Sequence, residues 1–186
     1  MISSLIGIIA SSGGGEVNSY ESISTTTVGA GGVSSITFSS IPSTYQHLQI
    51  RGIIRTATAS TDDDPLFRFN SDTGANYVRH QIFGSGSIAG ASAATGQTSV
   101  QGQGAGDTAP ANVFGANVVD ILDYANTNKY KTVRTLAGTD QNGYGFIVLR
   151  SGLWLNTAAI NSITIITGSG ANFSQYSSFA LYGIKG

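Results

Sequence analysis

The chain has 186 residues, enough for one domain with a substantial core and too few for two. Charged residues make up 10 % of it, against a usual figure of about 25 %, so its surface must be built from Ser, Thr, Asn, Gln and Gly. Nine basic and ten acidic residues leave no basic stripe for a nucleic-acid backbone, and the absence of cysteine removes disulfides, thiolate nucleophiles and Cys-type zinc sites together.

The net charge of −1 does little to hold free subunits apart, which favours a component of an assembly over a free monomer. Residues 5–10 (LIGIIA) are too short a run to span a bilayer and follow no Lys or Arg, so neither membrane insertion nor a signal peptide is expected. Leu5, Ile6, Ile8 and Ile9 read instead as an assembly anchor that adds to another subunit's sheet or fills its groove; the plainer reading is a frayed terminus. Residues 11–15 (SSGGG) have hinge composition, so residues 1–19 are an anchoring peptide and 20–186 the folded domain.

Residues 22–28 predict a first strand, 29–32 a turn and 33–38 its hairpin partner, followed by a corner at 41–43. The clearest period-two pattern lies in residues 45–58. Leu48, Ile50 and Ile54 share one face with Gly52 between them, while His47, Gln49, Arg51 and Arg55 share the other. This predicts a half-buried strand of up to fourteen residues in the middle of a sheet with shorter partners. Ile53 interrupts the polar face, which implies partial cover by a loop or a neighbouring subunit.

Asp62, Asp63, Asp64 and Pro65 read as a tight, solvated loop before a strand at 66–70; no calcium-loop spacing follows them. A turn at 71–74 leads to a strand at 77–83. His47 and His80 fall on different strands with no partner visible in the sequence, which favours structural or surface roles over metal binding or catalysis. Residues 84–110 are dominated by Gly, Ala, Ser, Thr and Gln, with Asp107 the only charge, and read as a long excursion with 98–101 adding an edge strand. The functional reading is a contact surface for sister subunits or a receptor glycan, carried by Gly84, Ser87, Ala91, Gln97, Gln101 and Gln103.

Residues 113–124 carry Val118, Val119, Ile121 and Leu122 on both faces and predict a strand between two layers. On that strand Asp120 and Asp123 point to opposite faces and form no acid–base dyad. A turn at 125–129 joins it to a hairpin partner at 130–137, and residues 141–143 form a second turn. Residues 144–155 predict a strand with Ile147, Leu149, Leu153 and Leu155 on one face, a bend or bulge at 151–152, and Trp154 facing the other way. A short helical corner at 156–160 precedes final strands at 162–167 and 178–185. The fold class is all-β, a jelly-roll-like two-sheet sandwich of nine or ten strands with an extended N-terminal peptide. With no G-x-S-x-G, H-E-x-x-H, P-loop or Rossmann pattern, the expectation is a protein that is not an enzyme and holds no cofactor or metal.

Five phrases carry a resemblance: SLIGIIASS at 4–12, ITFSSIPSTYQHLQIR at 36–51, FNSDTGANY at 69–77, YANTNKYKT at 124–132 and SFALYGIKG at 178–186. Together they resemble small β-rich virion structural proteins of tailed bacteriophages, described as tail, fibre or head-surface components. The resemblance implies a virion location after assembly in the host cytoplasm and an oligomer. The apolar run at 5–10 with its hinge leads to contacts with other virion proteins through the N-terminal peptide, and the small residues of 84–110 with the near absence of charge lead to a homotrimer. It carries no catalytic residues. Three roles follow: a tail or fibre host-attachment module meeting a host-surface glycan, a capsid decoration (cement) protein, or a carbohydrate-binding protein or carbohydrate-active enzyme. A groove with clustered carboxylates or exposed aromatics would favour the third; Tyr124, Tyr144 and Trp154 are the aromatics in question, with core burial expected for Trp154.

Overall fold

The computed structural model describes residues 19–186, in which fourteen strands and no helix are present. They are β1 (Tyr20–Thr27), β2 (Ser35–Phe38), β3 (His47–Ile54), β4 (Asp62–Asp63), β5 (Leu66–Phe69), β6 (Tyr77–Gly84), β7 (Ala89–Gln97), β8 (Val100–Gln101), β9 (Gly104–Ala105), β10 (Gly115–Leu122), β11 (Lys131–Asp140), β12 (Gly145–Trp154), β13 (Ile163–Ile166) and β14 (Ser178–Ile184). Eight form one sheet in the order β1-β14-β3-β10-β11-β12-β6-β7, and four form a second in the order β2-β13-β5-β8. A two-stranded ladder, β4-β9, completes the set. Every ladder between named strands is antiparallel.

The two larger sheets share one core, which makes the architecture a β-sandwich. Leu48, Ile50, Ile54, Val119, Ile121, Phe179 and Leu181 from the eight-stranded sheet meet Ile36, Phe38, Phe67, Phe69, Ile163 and Ile165 from the four-stranded one. The alternation in β3 decides its orientation: Leu48, Ile50 and Ile54 are fully buried, and Arg51 and Ile53 face out. At one end of the core Trp154 packs edge-on to Phe69 at 5.7 Å and stacks with Tyr77 at 6.3 Å. The Trp154 indole Nε1 donates to Asp72 Oδ2 at 2.7 Å, so the turn at Asp72 is tied to the last residue of β12. Burial acts to raise the Asp72 pKa, but bonds from Trp154, Asn76 and the Gly74 amide outweigh it and hold the carboxyl below its ordinary value. Burial pushes the Tyr77 phenol up to about 12, and its hydroxyl accepts the Phe69 amide at 3.0 Å.

Several sequence expectations change. β3 has eight residues rather than up to fourteen, because Arg55 and Thr56 leave the ladder to bridge Ala105 and Phe173. Its partners β10 and β14 are of nearly equal length. The segment after the glycine turn is not a hairpin partner of β1: β2 pairs with β13 in the other sheet, and Val33 bridges Phe173 on the way. Residues 84–110 are not one loop but carry β7, β8 and β9, with β7 paired along β6 as the edge of the large sheet. Residues 156–160 form no helix, and β12 runs through Ser151 and Gly152 without a register shift. The largest change is the facing of β12: Val148, Arg150, Gly152 and Trp154 point inward, while Ile147 and Leu149 are exposed. The anchor residues Leu5, Ile6, Ile8 and Ile9 lie outside the described residues.

Replacing Trp154 with Phe removes both ring area and a bond to a charged acceptor, at a cost of about 2–4 kcal/mol. A depressed carboxyl pKa stabilises the fold above the ordinary carboxyl value and loses that contribution as pH falls through the folded value. Denaturant titrations should therefore show the gap between W154F and the parent at neutral pH narrowing below the ordinary Asp value of 3.8.

Candidate functional sites

Two surfaces follow from the mismatch between eight strands and four. The small sheet ends at β8, which lies against β12 and β6, so the inner face of the large sheet beyond that line lacks a full counterpart. A cleft of about 590 Å³ opens there, lined among others by Asp62, Asp64, Arg79, Gln101, Gln103 and Tyr144.

Arg150, 3 % exposed, organises the floor of this cleft. Its Nε donates to Gln81 Oε1 at 2.7 Å, its Nη1 to the Gly102 carbonyl, and its Nη2 to Asp64 Oδ1 at 3.3 Å. Arg79 Nη1 donates to the same Gln81 oxygen at 2.7 Å. Burial raises the Asp64 pKa against the opposing pull of Arg150 and Arg79, and burial lowers that of Arg150. The Tyr144 hydroxyl donates to Asp62 Oδ2 at 2.5 Å, which raises the phenol pKa, and Gln141 Nε2 donates to Asp62 Oδ1 at 3.1 Å. Thr58 Oγ1 donates to Asp63 Oδ2 at 2.7 Å. The three aspartates are thus a bonded structural wall rather than a solvated loop, with Asp63 buried. Among the described residues no set of three or more His, Cys, Asp or Glu side chains is placed to hold a metal ion.

The segment from β8 to β9 forms the opposite lip. Asn117 accepts the Gln103 amide at 2.8 Å and donates to the Gln103 carbonyl at 2.6 Å, and a Cβ at Gly102 would stand 2.3 Å from that Asn117 oxygen. Only glycine lets β10 pin this backbone so closely. Two polar groups at the cleft keep free valences. Gln101 Oε1 and Arg79 Nε are buried without a hydrogen bond. The side chain of Gln103, a residue only 4 % exposed, lines the cleft beside them.

The second surface is the outer face of the large sheet. Register carries one row of neighbours across five ladders: Arg51, Val118, Leu136, Leu149, Ile82 and Ala91. The adjacent row is Ile53, Ala116, Gly138, Ile147, Gly84 and Ala89. The row on the other side is polar, with Gln49, Asp120, Arg134, Ser151 and His80. Ile82 and Ile147 are 60 % and 61 % exposed, and Leu136, Leu149 and Ile53 are exposed as well. A shallow apolar groove of about 1140 Å³ runs along this face, with Ile53, Val118, Leu136 and Ile147 in its lining.

The residues expected to form one contact loop are distributed. Ser87 and Ala91 are exposed, Gly84 lies in the apolar outer row, Gln97 ends β7, and Gln101 and Gln103 reach the inner cleft. The strand at 113–124 is buried on one face only, with Val118 and Leu122 on the outer side and Asp123 past its end. Asp120 accepts from Gln49 at 2.8 Å; Asp123 lies beside Lys129. His47 Nδ1 accepts the Asp123 amide at 3.0 Å, a structural contact that makes this nitrogen an acceptor, and His80 stands on the polar outer row. Tyr124 and Trp154 are core residues; Tyr144 alone of the three is exposed. Arg79, Gln81 and Arg150 were not singled out in the sequence, since nothing in a linear pattern joins β6 to β12 and the β8–β9 turn. No protein-family model, curated protein or solved structure matches the chain.

Arg150→Met should destabilise the fold by about 2–3 kcal/mol, because it leaves the Gly102 carbonyl and the Gln81 oxygen short of a donor. The variant also loses the guanidinium that opposes the rise in the Asp64 pKa. A raised carboxyl pKa weakens the fold where the group is ionised and that penalty lifts as pH falls through the folded value. Thermal melts from neutral pH down to the ordinary Asp value of 3.8 should therefore show the deficit of R150M shrinking.

Proposed function

We propose that the protein is a non-enzymatic structural subunit of a tailed-phage virion. In this reading it is a homo-oligomer, with a trimer as the expected state, joined to the particle through residues 1–19 and presenting its sandwich to host-surface glycans as a tail or fibre attachment module. The observation that carries the assembly role is the outer face of the large sheet. Burying an Ile or Leu side chain is worth about 1.5–3 kcal/mol, so five exposed ones in two adjacent rows offer a gross gain comparable with the cost of association, about 4–15 kcal/mol. A net charge of −1 adds little repulsion between copies. The phrases of the sequence that resemble virion proteins support the particle as the setting.

The same proposal extends to topology, as a jelly roll. The order β1-β14-β3-β10 faces the order β2-β13-β5-β8. In chain order these eight strands change sheet at every step but β5 to β8, as two interlocked Greek keys require. The hairpins β6-β7 and β11-β12 are then insertions that widen one sheet and generate both candidate surfaces.

Placing Lys at both Ile147 and Leu149 puts two charges in the apolar rows of each copy. Because both side chains are exposed, the melting temperature should hardly move. Light scattering should show the oligomer reduced to monomer; an unchanged mass would remove the outer face as the interface. Deleting residues 1–19 should leave a folded domain that no longer joins the particle, read by its absence from purified virions. Copy number per virion separates the roles: hundreds of copies would replace the attachment module with capsid decoration.

A further inference from the structure

We infer that the inner cleft between β8, β6 and β12 binds a hydroxyl-rich saccharide. The inference rests on the proposed attachment role only for the source of that saccharide on a host surface; the chemistry of the cleft stands apart from it.

The unsatisfied groups define the ligand. Arg79 Nε is a donor without an acceptor, and Gln101 Oε1 is an acceptor without a donor. The Gln103 side-chain amide adds one of each to the lining of the same cleft. Buried polar groups normally find partners, and leaving one unmade costs about 1–3 kcal/mol, so two such groups on one cleft, one a donor and one an acceptor, point to a ligand that supplies them. The ligand must both donate and accept over a short span, which is the property of a hydroxyl group.

Charge narrows the choice. Asp62, Asp63 and Asp64 line the same space as Arg79 and Arg150, so a compact anion meets carboxylates and a compact cation meets guanidinium groups. Each of the three carboxylates already accepts from the protein, and none converges with others on a cation site. A neutral polyol suits both signs. The aromatic component is present too: the Tyr144 ring is 45 % exposed, held by its hydroxyl on Asp62, and Phe146 beside it stacks on Phe83 at 5.2 Å. These rings give the C–H face of a sugar an apolar surface whose orientation is fixed before binding. The volume of about 590 Å³ falls within the range of about 300–1,000 Å³ usual for small-molecule sites.

The test applies the full-length protein to a printed array of neutral and acidic oligosaccharides and then measures the strongest binder by calorimetry. Gln103→Leu removes the side-chain amide and keeps the bulk; Tyr144→Ala removes the ring face. Each should weaken binding at least tenfold with the oligomer mass unchanged. Arg79→Met provides a third variant should Q103L melt early. Absence of any array signal above that of a Q103L/Y144A double variant, or equal affinity in the parent and the single variants, would overturn the inference. The Ile147, Leu149 double-Lys variant separates this from the assembly reading. If it binds the saccharide in solution with the parent's per-site affinity, the cleft stands whatever the oligomeric state; if the parent proves monomeric yet binds, the assembly reading falls alone.

Discussion

An eight-stranded sheet backed by a four-stranded one cannot be covered across its width, and most of what distinguishes this protein follows from that constraint. Where the two sheets overlap, apolar side chains from both meet in one core. Beyond β8 the inner face of β11, β12 and β6 must be satisfied by other means. The chain meets that need with polar groups: Arg150 bridges Gln81, Gly102 and Asp64, and Asn117 clamps the backbone of Gln103. Lys131, fully buried on the same face, donates to the carbonyls of Asn126, Lys129 and Thr157. Burial lowers its pKa, yet three carbonyl acceptors suit the ammonium form.

The same widening shapes the outer face. Four extra strands lengthen each cross-strand row, and a row of apolar residues that would be a scatter on a narrow sheet becomes a continuous band from Arg51 to Ala91. Glycines at 84 and 138 lie in the neighbouring row, where a Cβ at Gly138 would meet the Phe146 carbonyl at 2.8 Å. Their small size keeps that part of the face shallow and open, which gives the groove its floor. One sheet thus presents an apolar surface on one side and a polar cleft on the other. The two do not compete for residues, apart from the Tyr144 and Phe146 corner that borders both.

The Asp72, Trp154 and Tyr77 cluster links these surfaces to the core. Tyr77 begins β6, Trp154 ends β12, and the two are register partners, so their bond network fixes the start of the hairpin extension against the Phe69 end of the small sheet. The cleft depends on that alignment, since it sets Gln81 of β6 opposite Arg150 of β12, where the Gln81 oxygen accepts from both Arg79 and Arg150.

By itself the sequence determined what short-range physics controls. Strict alternation placed Leu48, Ile50 and Ile54 inside, Gln141, Asn142 and Gly143 announced a turn in which Asn142 and Gly143 take the positive φ they tolerate, the succession of short strand patterns announced an all-β domain, and the scarcity of charge announced an uncharged polar exterior. Where both faces of a strand are apolar, alternation cannot choose between them. On β12 the richer set, Ile147, Leu149 and Leu153, reads as the core, yet it faces out. The inward side places Gly152 beside Val100 of β8 and Arg150 against the Gly102 carbonyl just past it, contacts that come from far away in the chain. β7 was illegible for a related reason: its Ala, Gly and Ser residues have no strand preference of their own, and its extended form comes from pairing with β6. The cleft joins residues from β4, β6, β8 and β12, so only the tertiary structure could decide it, because the groups that satisfy or fail to satisfy one another there are brought together by register and not by sequence.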